Sequence, residues 1–469
     1  MIDNQELGHH NDFKAYKNWL ILSHGFNMDG RAASQTITDK IPYLLDSGIN
    51  LNVLSAITGK KDTRFLHKQL IAWGPAAFRF DFRHWFANRF GRGVAYKIIT
   101  LLISILLSPF IFMEKIIWGY SSQWSWAFPA YYQGLKLIEQ KKIDLIYSTG
   151  GAWSAHLAGL WLKKKTQTPW IAEIHDPLVI RDTPSDIGIK SPKVADAKKR
   201  HWLEKQICQH ADLVWWFTNG ALDYAKLRNP SLGEPNYAKG IMIVPGANPP
   251  EITSIVDSTK HEYTNYLNIS HFGSLADDRS MTQVLNILPI FFKEFPEAKN
   301  KVRFHVYGTQ LDQKSKEWLQ NSPYHNNLIE HGRLELDPKT GLTGRQRIAI
   351  KMQESDVLLL LHGKTEWCRE YIPSKIYDYF WTSRPIWAIT NNNPQLDDLI
   401  QPRNGYLSDS SDQLSIYEAL DRIWHDWKNH NLIQPKFMPV TVEAACKQII
   451  TNVSRIEKKL STILSFIVS

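Results

Sequence analysis

The segment 356–378 reads DVLLLLHGKTEWCREYIPSKIYD and decides the fold of the second half of the chain. Residues 357–361 form the unbroken apolar run that is typical of a buried strand in a parallel sheet. Pro373 favours the first position of a helix, because its fixed φ suits a helix and its missing N–H is not needed there. A strand, a loop and a helix in this order indicate a doubly wound α/β sheet.

The helix start expected at Pro373 has the features of an anion site. The free N–H groups of a first helical turn attract anions, and Lys375 adds a positive charge there. Ser374 and Asp378 share one helix face, separated by about 6 Å of rise, which is similar to the reach from a nucleotide's diphosphate to its ribose. The pattern predicts a nucleotide-sugar site, although such residues also occur by chance on surface helices.

The composition limits the class of protein. A length of 469 residues suggests two or three domains. The formal net charge of +9 favours an anionic partner, which could be nucleic acid, anionic lipid or a phosphorylated substrate. Zinc-finger, RNP and basic-zipper patterns are absent from the sequence, so no nucleic-acid partner is expected.

The cysteines and the N-terminal sequence indicate a cytoplasmic protein. Cys208, Cys368 and Cys446 are far apart and odd in number, as expected for free thiols in a reducing compartment. Their spacing fits no metal site. Residues 1–18 are polar and lack the apolar core of a signal peptide.

Apolar runs and helical patterns alternate along both halves of the chain. In the first half, His24, Gly150 and His175 each follow or end a predicted strand, so they are expected at one crevice. In the second half the pattern predicts strands at 267–272, 302–306, 356–361 and 385–389, with helices at 281–295 and 373–381. The predicted domains are 1–250 and 251–440, followed by a helical tail, 441–469, for which a return to the first domain is one arrangement.

A basic and aromatic segment, residues 78–119, predicts membrane association. Its arginines and lysine alternate with Phe and Trp, and the uncharged run 98–113 follows. This run is shorter than the roughly 20 apolar residues of a membrane span, and Pro109 interrupts it. We expect an interfacial anchor on an anionic leaflet. A buried helix with a basic surface loop and a true span are the alternatives.

Two doubly wound halves carrying Glu370 and Asp378 resemble the GT-B-fold glycosyltransferases, and in particular the retaining family 4. Residues 373–379, PSKIYDY, followed by SRPI at 383–386, are similar to members that build bacterial surface polysaccharides. The similarity covers most of the chain in scattered short motifs. It implies an α/β fold with two Rossmann-like doubly wound domains facing a cleft (GT-B).

The resemblance also implies roles for single residues. The family's Glu-x7-Glu motif places its first acid on the donor sugar and its second on the ribose. Here these acids are Glu370 and Asp378, and the aspartate is one methylene shorter than the family's glutamate. The family grips the donor diphosphate with an Arg-x4-Lys pair. Ser274 replaces that arginine and Arg279 takes the lysine position, so Arg279, Lys375 and the helix start are expected to hold the diphosphate.

In the first half, two residues match the family's sites. His175 lies where members often have a histidine near the reacting sugar, and Gly30 matches a glycine loop that approaches the donor or the acceptor. The alternatives are a structural histidine and an ordinary strand–helix turn. Arg279 could likewise be a surface partner of the aspartates before it.

These features together predict an enzyme that moves a sugar from a nucleotide-diphosphate sugar to a lipid-linked or growing glycan, in surface polysaccharide synthesis. His175 and Glu370 are the expected catalytic residues; Gly30, Arg279, Ser374, Lys375 and Asp378 are expected to bind the donor. No metal and no cofactor are expected, because fixed positive charge can stabilise the leaving group. The expected location is the inner face of the plasma membrane. A nucleotide-sugar epimerase and a non-enzymatic membrane-surface binding protein are the alternatives.

Overall fold

The computed structural model describes residues 16–28, 31–118, 123–179, 194–251, 264–276, 279–308, 310–363, 366–391 and 393–468. These residues form two parallel sheets, each covered by helices on both faces. Apolar strands with two buried faces explain this layering, because such strands need helices on either side.

The first sheet has seven strands. They are β1 (Asn18–Leu22), β2 (Asn50–Ala56), β3 (Leu66–Leu70), β4 (Leu145–Gly150), β5 (Trp170–Ile174), β6 (Leu213–Trp216) and β7 (Lys239–Met242). Their order is β3-β2-β1-β4-β5-β6-β7 and all pairs are parallel. The helices between them are α1 (Ala32–Thr38), α2 (Ile41–Asp46), α3 (Pro75–Phe90), α4 (Val94–Trp118), α5 (Ala127–Lys141), α6 (Ser154–Thr166), α7 (Val194–His210) and α8 (Asn219–Arg228). A 3₁₀ turn, Gln123–Trp126, precedes α5.

The second sheet has six strands. They are β8 (Leu267–Phe272), β9 (Val302–Tyr307), β10 (Leu328–Gly332), β11 (Val357–Leu361), β12 (Ile386–Thr390) and β13 (Tyr406–Asp409), in the order β10-β9-β8-β11-β12-β13. Its helices are α9 (Thr282–Leu285), α10 (Leu288–Glu294), α11 (Ala298–Lys301), α12 (Gln313–Asn321), α13 (Gly344–Glu354), α14 (Lys375–Tyr379), α15 (Pro394–Ile400) and α16 (Gln413–Lys428). Three 3₁₀ turns, His325–Asn327, Glu366–Glu370 and Gln401–Arg403, complete this half.

Both sheets reverse their strand order at a switch point, between β1 and β4 and between β8 and β11. Ligands of open α/β sheets bind beyond the carboxyl ends of the strands at such points. The ends of β1 and β4 adjoin, since a Cβ on Gly150 would lie 3.4 Å from Ser23 Oγ. The loops after β8 and β11 are therefore the places where a ligand of the second domain is expected.

The last helix, α17 (Val442–Val468), packs on the first domain. Ala445, Ile449 and Val453 are buried in one cluster with residues of β1 and α2. The segment before α17 returns to the first domain beside the connection that leaves it. There, Ala247 N donates to Val440 O at 2.9 Å. The division near residue 250 stays a prediction, because residues 252–263 lie outside the described part.

The predicted strands of the second half agree with the structure within two residues, but the predicted helix 281–295 is wrong as a single element. It divides into α9 and α10. Pro289 lies in the first turn of α10, where its missing N–H is tolerated, whereas a continuous helix would lose a hydrogen bond there.

The helix α4 corrects the expectation of a short apolar run. It continues through Pro109 for 25 residues, and by length and composition Val94–Ile117 is able to cross a bilayer, with a mean hydropathy of 2.1. It is also not a core helix, because only 6% of its most apolar stretch is buried. Exposed apolar side chains along it include Ile98, Leu102, Leu106, Phe110 and Ile117.

Two polar residues of α4 face the protein instead of the solvent. Thr100 and Glu114 are buried. The Glu114 carboxylate accepts hydrogen bonds from Ala76 N and from Trp124 Nε1, both at 3.0 Å. The helix is therefore amphipathic, but its apolar side faces outward, whereas the apolar side of an ordinary surface helix faces the core.

Candidate active site

Two glycines open the space beyond the second sheet. Gly273 follows β8 and Gly308 follows β9, with φ of +110° and +142°. A Cβ on Gly308 would lie 2.4 Å from Gly273 O, and one on Gly273 would lie 3.0 Å from Lys375 Nζ. Only glycine fits both the backbone conformation and the close approach. The backbone of these two loops and the side chain of Lys375 therefore line the space beyond the second sheet.

The ammonium of Lys375 is hydrogen-bonded to His271, a residue that no sequence motif indicated. Lys375 Nζ donates to His271 Nε2 at 3.1 Å, while His271 Nδ1 donates to Leu359 O at 3.2 Å. Burial, followed by the Lys375 charge, keeps the pKa of His271 well below its usual value, so the ring is neutral. Burial and the nearby charge of Arg279 lower the pKa of Lys375 from 10.5 to about 7.

Arg279 and Lys375 are neighbours beyond the second sheet, and their role at a diphosphate stays a prediction. Arg279 is half-buried, and its positive charge lowers the pKa of Lys375. The Cζ atom of Arg279 lies 5.9 Å from the ring centre of Tyr371. The two positive charges repel each other, which contributes to the lowered pKa of Lys375. An anion between them would relieve that repulsion, so the pair is suited to a diphosphate.

The predicted helix start at Pro373 is wrong by two residues. The helix α14 begins at Lys375, and it has only five residues. Thr382 Oγ1 donates to Tyr379 O at 2.8 Å and closes the helix early. Ser374 is exposed at its N-cap and makes no side-chain cap bond. So short a helix has little macrodipole, and the side chains of Lys375 and Arg279 supply the positive charge.

Glu370 lies at the end of its 3₁₀ turn and is buried. Its Oε2 lies 3.9 Å from Arg228 Nη1 of the first domain. Its backbone carbonyl accepts from Thr218 Oγ1 at 2.7 Å. The acid expected to contact the donor sugar is therefore at the boundary between the domains.

Asp378 has different charged neighbours from Lys375. Burial raises the pKa of Asp378 to about 6, against the opposing charge of Arg345 and with a further contribution from Asp39. Arg345 and Asp39 form a two-fold ion pair across the domains, with both N–O distances at 2.9 Å. Asp378 is half-buried beside this pair, and its ribose role stays a prediction.

His175 stands on a buried polar network at the ends of β4 and β5. Its Nε2 lies 3.0 Å from Thr149 Oγ1 and 3.4 Å from Glu173 Oε2. The other Glu173 oxygen accepts from Lys40 Nζ at 2.5 Å, and Tyr147 OH donates to Oε2 at 2.6 Å. Burial would raise the pKa of Glu173, but Lys40 and the hydrogen bonds of the network lower it below its usual range.

The network fixes which nitrogen of His175 faces inward. Thr149 Oγ1 donates its proton to the Glu173 carboxylate, which only accepts, so this hydroxyl accepts from His175, and Nε2 carries the ring proton on this side. A glutamate in an otherwise apolar strand, Ile171-Ala172-Glu173-Ile174, was the sequence signal for this network. Two other residues singled out in the first half of the sequence have different outcomes. His24 turns to Asp81 of α3, with Nε2 and Oδ1 at 3.0 Å, and Gly30 lies outside the described residues.

Metal ligands do not cluster in the described part of the chain, since no group of three or more His, Cys, Asp or Glu side chains there could hold an ion. No sequence pattern indicated Arg228 or Arg345, because the carboxylate that each of them faces lies far away in the chain.

Neither a protein-family model nor a curated protein matches this sequence. Solved structures match it over nearly its whole length. The α,α-trehalose 6-phosphate synthase of Burkholderia multivorans has a TM-score of 0.61 at 9% identity, covering 96% of this chain and 98% of its own. The UDP-forming α,α-trehalose-phosphate synthase of Burkholderia vietnamiensis has a TM-score of 0.56 at 9% identity, covering 93% and 99%. HepE of Anabaena, solved with UDP and glucose, has a TM-score of 0.50 at 11% identity, covering 96% and 99%. The expected fold, two Rossmann-like domains facing a cleft (GT-B), is confirmed by these similarities.

Proposed function

We propose that the chain is a glycosyltransferase that moves a sugar from a nucleotide-diphosphate sugar to an acceptor hydroxyl. The observation that carries this proposal is the cation pair Lys375 and Arg279 at the switch point of the second sheet. The similar structures include one solved with UDP and glucose and one named as UDP-forming, so a UDP-sugar is the first donor to test.

In this reaction the bond between the sugar's anomeric carbon and the diphosphate breaks, and a bond from that carbon to the acceptor oxygen forms. Negative charge grows on the leaving diphosphate, and the acceptor hydroxyl loses its proton. Lys375 and Arg279 are placed to stabilise that charge; removing one such preorganised donor typically costs about 10²–10³ in rate. Glu370 would orient the sugar hydroxyls, and His175 would bind the sugar or guide the proton. Retention of the anomeric configuration, as in family 4, is part of the proposal.

The proposed acceptor is a lipid-linked or growing glycan at the inner membrane surface. The exposed apolar side of α4 supports an interfacial position. A spanning position is less favourable, because α4 would have to leave α3 and break the two hydrogen bonds of Glu114. Exposed basic residues on α3 and near both ends of α4 suit an anionic leaflet; they are Arg83, Arg89, Lys97 and Lys115.

A thermal-shift screen with UDP, GDP, and their common sugar conjugates tests the donor. A ligand that binds only the folded chain at 100 times its Kd adds about 2.7 kcal/mol of stability. We expect at least one sugar nucleotide to raise the Tm, and Lys375→Ala to lose this shift. Lys314→Ala, which changes an exposed lysine of α12, is the matched control. If no nucleotide shifts the Tm of the unmodified chain, the proposal fails.

Product analysis then decides the reaction class. We expect labelled sugar to move to an added glycan or lipid-linked acceptor, with the anomeric configuration of the product read by NMR. Donor turnover without any acceptor would instead indicate an epimerase or hydrolase, and tight donor binding without turnover would indicate a binding protein.

Liposome flotation tests the membrane surface. We expect the chain to float with anionic vesicles at low salt, and Leu102→Asp with Leu106→Asp to abolish this. The control changes Ile290 and Leu414, exposed apolar residues of the second domain, to aspartate. Equal binding by both double variants would contradict an interfacial role for α4.

A further inference from the structure

The first domain touches the second at the residue proposed to bind the donor sugar. Thr218 caps α8 by accepting from Ala221 N at 3.0 Å, and the same hydroxyl donates to Glu370 O at 2.7 Å. Next to it, Asn219 N donates to Gln395 Oε1 at 2.7 Å. The start of α8 is thus bonded to the 3₁₀ turn Glu366–Glu370 and to α15.

This contact is tight enough to require a glycine. A Cβ on Gly220 would lie 2.2 Å from Arg369 O. Real Cβ atoms do not approach a backbone oxygen so closely, and a backbone group cannot move aside as a flexible side chain can. The contact between α8 and the turn is therefore a specific fit.

Arg228, at the end of α8, presents its charge to Glu370. Its Nε and Nη2 are held by Glu204 at 2.7 and 2.9 Å, while Nη1 lies 3.9 Å from Glu370 Oε2. The side chains of Arg228, Glu204 and Glu370 are 15%, 3% and 1% exposed. Glu204 fixes the guanidinium in place, and burial strengthens its attraction for Glu370, at a distance too long for a hydrogen bond.

We infer that Arg228 is a positioning residue for donor-sugar recognition: from the first domain, it orients the Glu370 carboxylate of the second. This inference rests on the proposed function. Recognition of the sugar, but not of the nucleotide, then depends on the contact between the domains. The nucleotide is held by Lys375 and Arg279, which lie in the second domain alone.

Isothermal titration with UDP and UDP-glucose separates the two parts of the donor. In the unmodified chain we expect UDP-glucose to bind more tightly than UDP. In Arg228→Gln this preference is expected to fall by about tenfold, which corresponds to about 1.4 kcal/mol, while the Kd for UDP stays within twofold. Glu370→Gln should have the same effect, and the double variant should lose no more than either single variant, as expected for two residues that act through one interaction.

Two further variants guard against a general loss of folding. Glu204→Gln removes the clamp on Arg228 but keeps both charges of the pair, and is expected to lower the preference less than Arg228→Gln. Gly220→Ala keeps all three charged residues and displaces the turn, and is expected to lower the preference as strongly. Arg422→Gln, at an exposed arginine of α16, is the control for loss of charge.

The outcomes are distinct. Equal losses for UDP and UDP-glucose in Arg228→Gln and Gly220→Ala, or additive losses in the double variant, would overturn the inference and leave the proposed function standing. Failure of the unmodified chain to bind either ligand or any sugar nucleotide of the screen would overturn both.

Discussion

Replacing Lys375 with methionine tests the charge that the second domain presents to a diphosphate. Methionine keeps most of the side-chain volume but removes the cation. In the ligand-free chain the pKa of Lys375 is lowered to about 7 by burial and by Arg279. Its ammonium is therefore largely charged at pH 6 and largely neutral at pH 8.5.

A bound diphosphate reverses this effect, because an opposite charge favours the ammonium form. The affinity must then be highest below pH 7, where the lysine is already charged, and must fall as the pH rises through 7. If the diphosphate raises the pKa of Lys375 by only one unit, proton linkage predicts a Kd about sevenfold weaker at pH 8.5 than at pH 6.0. His271 does not titrate in this range, because its pKa is well below 6.5.

Isothermal titration between pH 6.0 and 8.5 measures the effect, with the sugar nucleotide that gives the largest thermal shift. A sugar nucleotide is preferred to the free diphosphate, whose terminal phosphate itself titrates near pH 6. The unmodified chain should show the decrease in affinity. Lys375→Met should bind weakly at pH 6.0 and show no pH dependence, whereas Lys375→Arg should bind with little dependence because arginine stays charged.

A flat profile in the unmodified chain, or the same slope in Lys375→Met, would refute the placement of the diphosphate at Lys375. Circular dichroism at each pH controls for unfolding.

Three further predictions concern the loop after β8, Asp378 and the buried network below His175. Gly273→Ala should lower kcat/KM by at least tenfold and also lower the Tm, because its Cβ would press on Lys375 Nζ and alanine is strained at a φ of +110°; normal turnover would show that the loop has more room. Asp378→Asn should raise the Tm at pH 7.5 but not at pH 3.5, since a carboxyl whose folded pKa is raised from 3.8 to about 6 favours folding only in its protonated form and loses that contribution as the pH rises through 6. Equal Tm changes at both pH values would contradict this. The affinity of Asp378→Asn for the donor should also fall. Glu173→Gln should cost about 3–5 kcal/mol in urea unfolding, because it leaves Lys40 buried without its partner charge; a cost below 1 kcal/mol would contradict it.

The sequence could predict the strands of the second domain because continuous apolar runs are compatible with few other structures. Leu267–Phe272 has the predicted bounds, and Val357–Leu361 begins one residue later than expected. Helix bounds were harder to predict, since single residues decide them. Pro289 divides one helix, and Thr382 ends another after five residues.

Arg279 and Lys375 follow β8 and β11, which are neighbours in the sheet, so their proximity could be predicted from the strand pattern, whereas their role at a diphosphate stays a prediction. The residues that connect the domains could not be predicted. Arg345 contacts Asp39 at a separation of 306 residues, and Thr218 contacts Glu370 at a separation of 152. No local pattern carries such contacts, since they depend on how two complete domains pack.

The proposed membrane surface and the cleft are joined through α3. Asp81 of this helix contacts His24 at the carboxyl end of β1, where the first domain faces the cleft. The helix α3 also packs against α4, whose Glu114 accepts a hydrogen bond from Ala76 N at the start of α3. After α3, Arg92 pairs with Glu335 of the second domain at 2.9 Å. A bilayer touching the apolar side of α4 would therefore lie one helix away from the first-domain wall of the cleft. Since α3 connects α4 to the first-domain side of the cleft, a lipid-linked acceptor is the first acceptor to test.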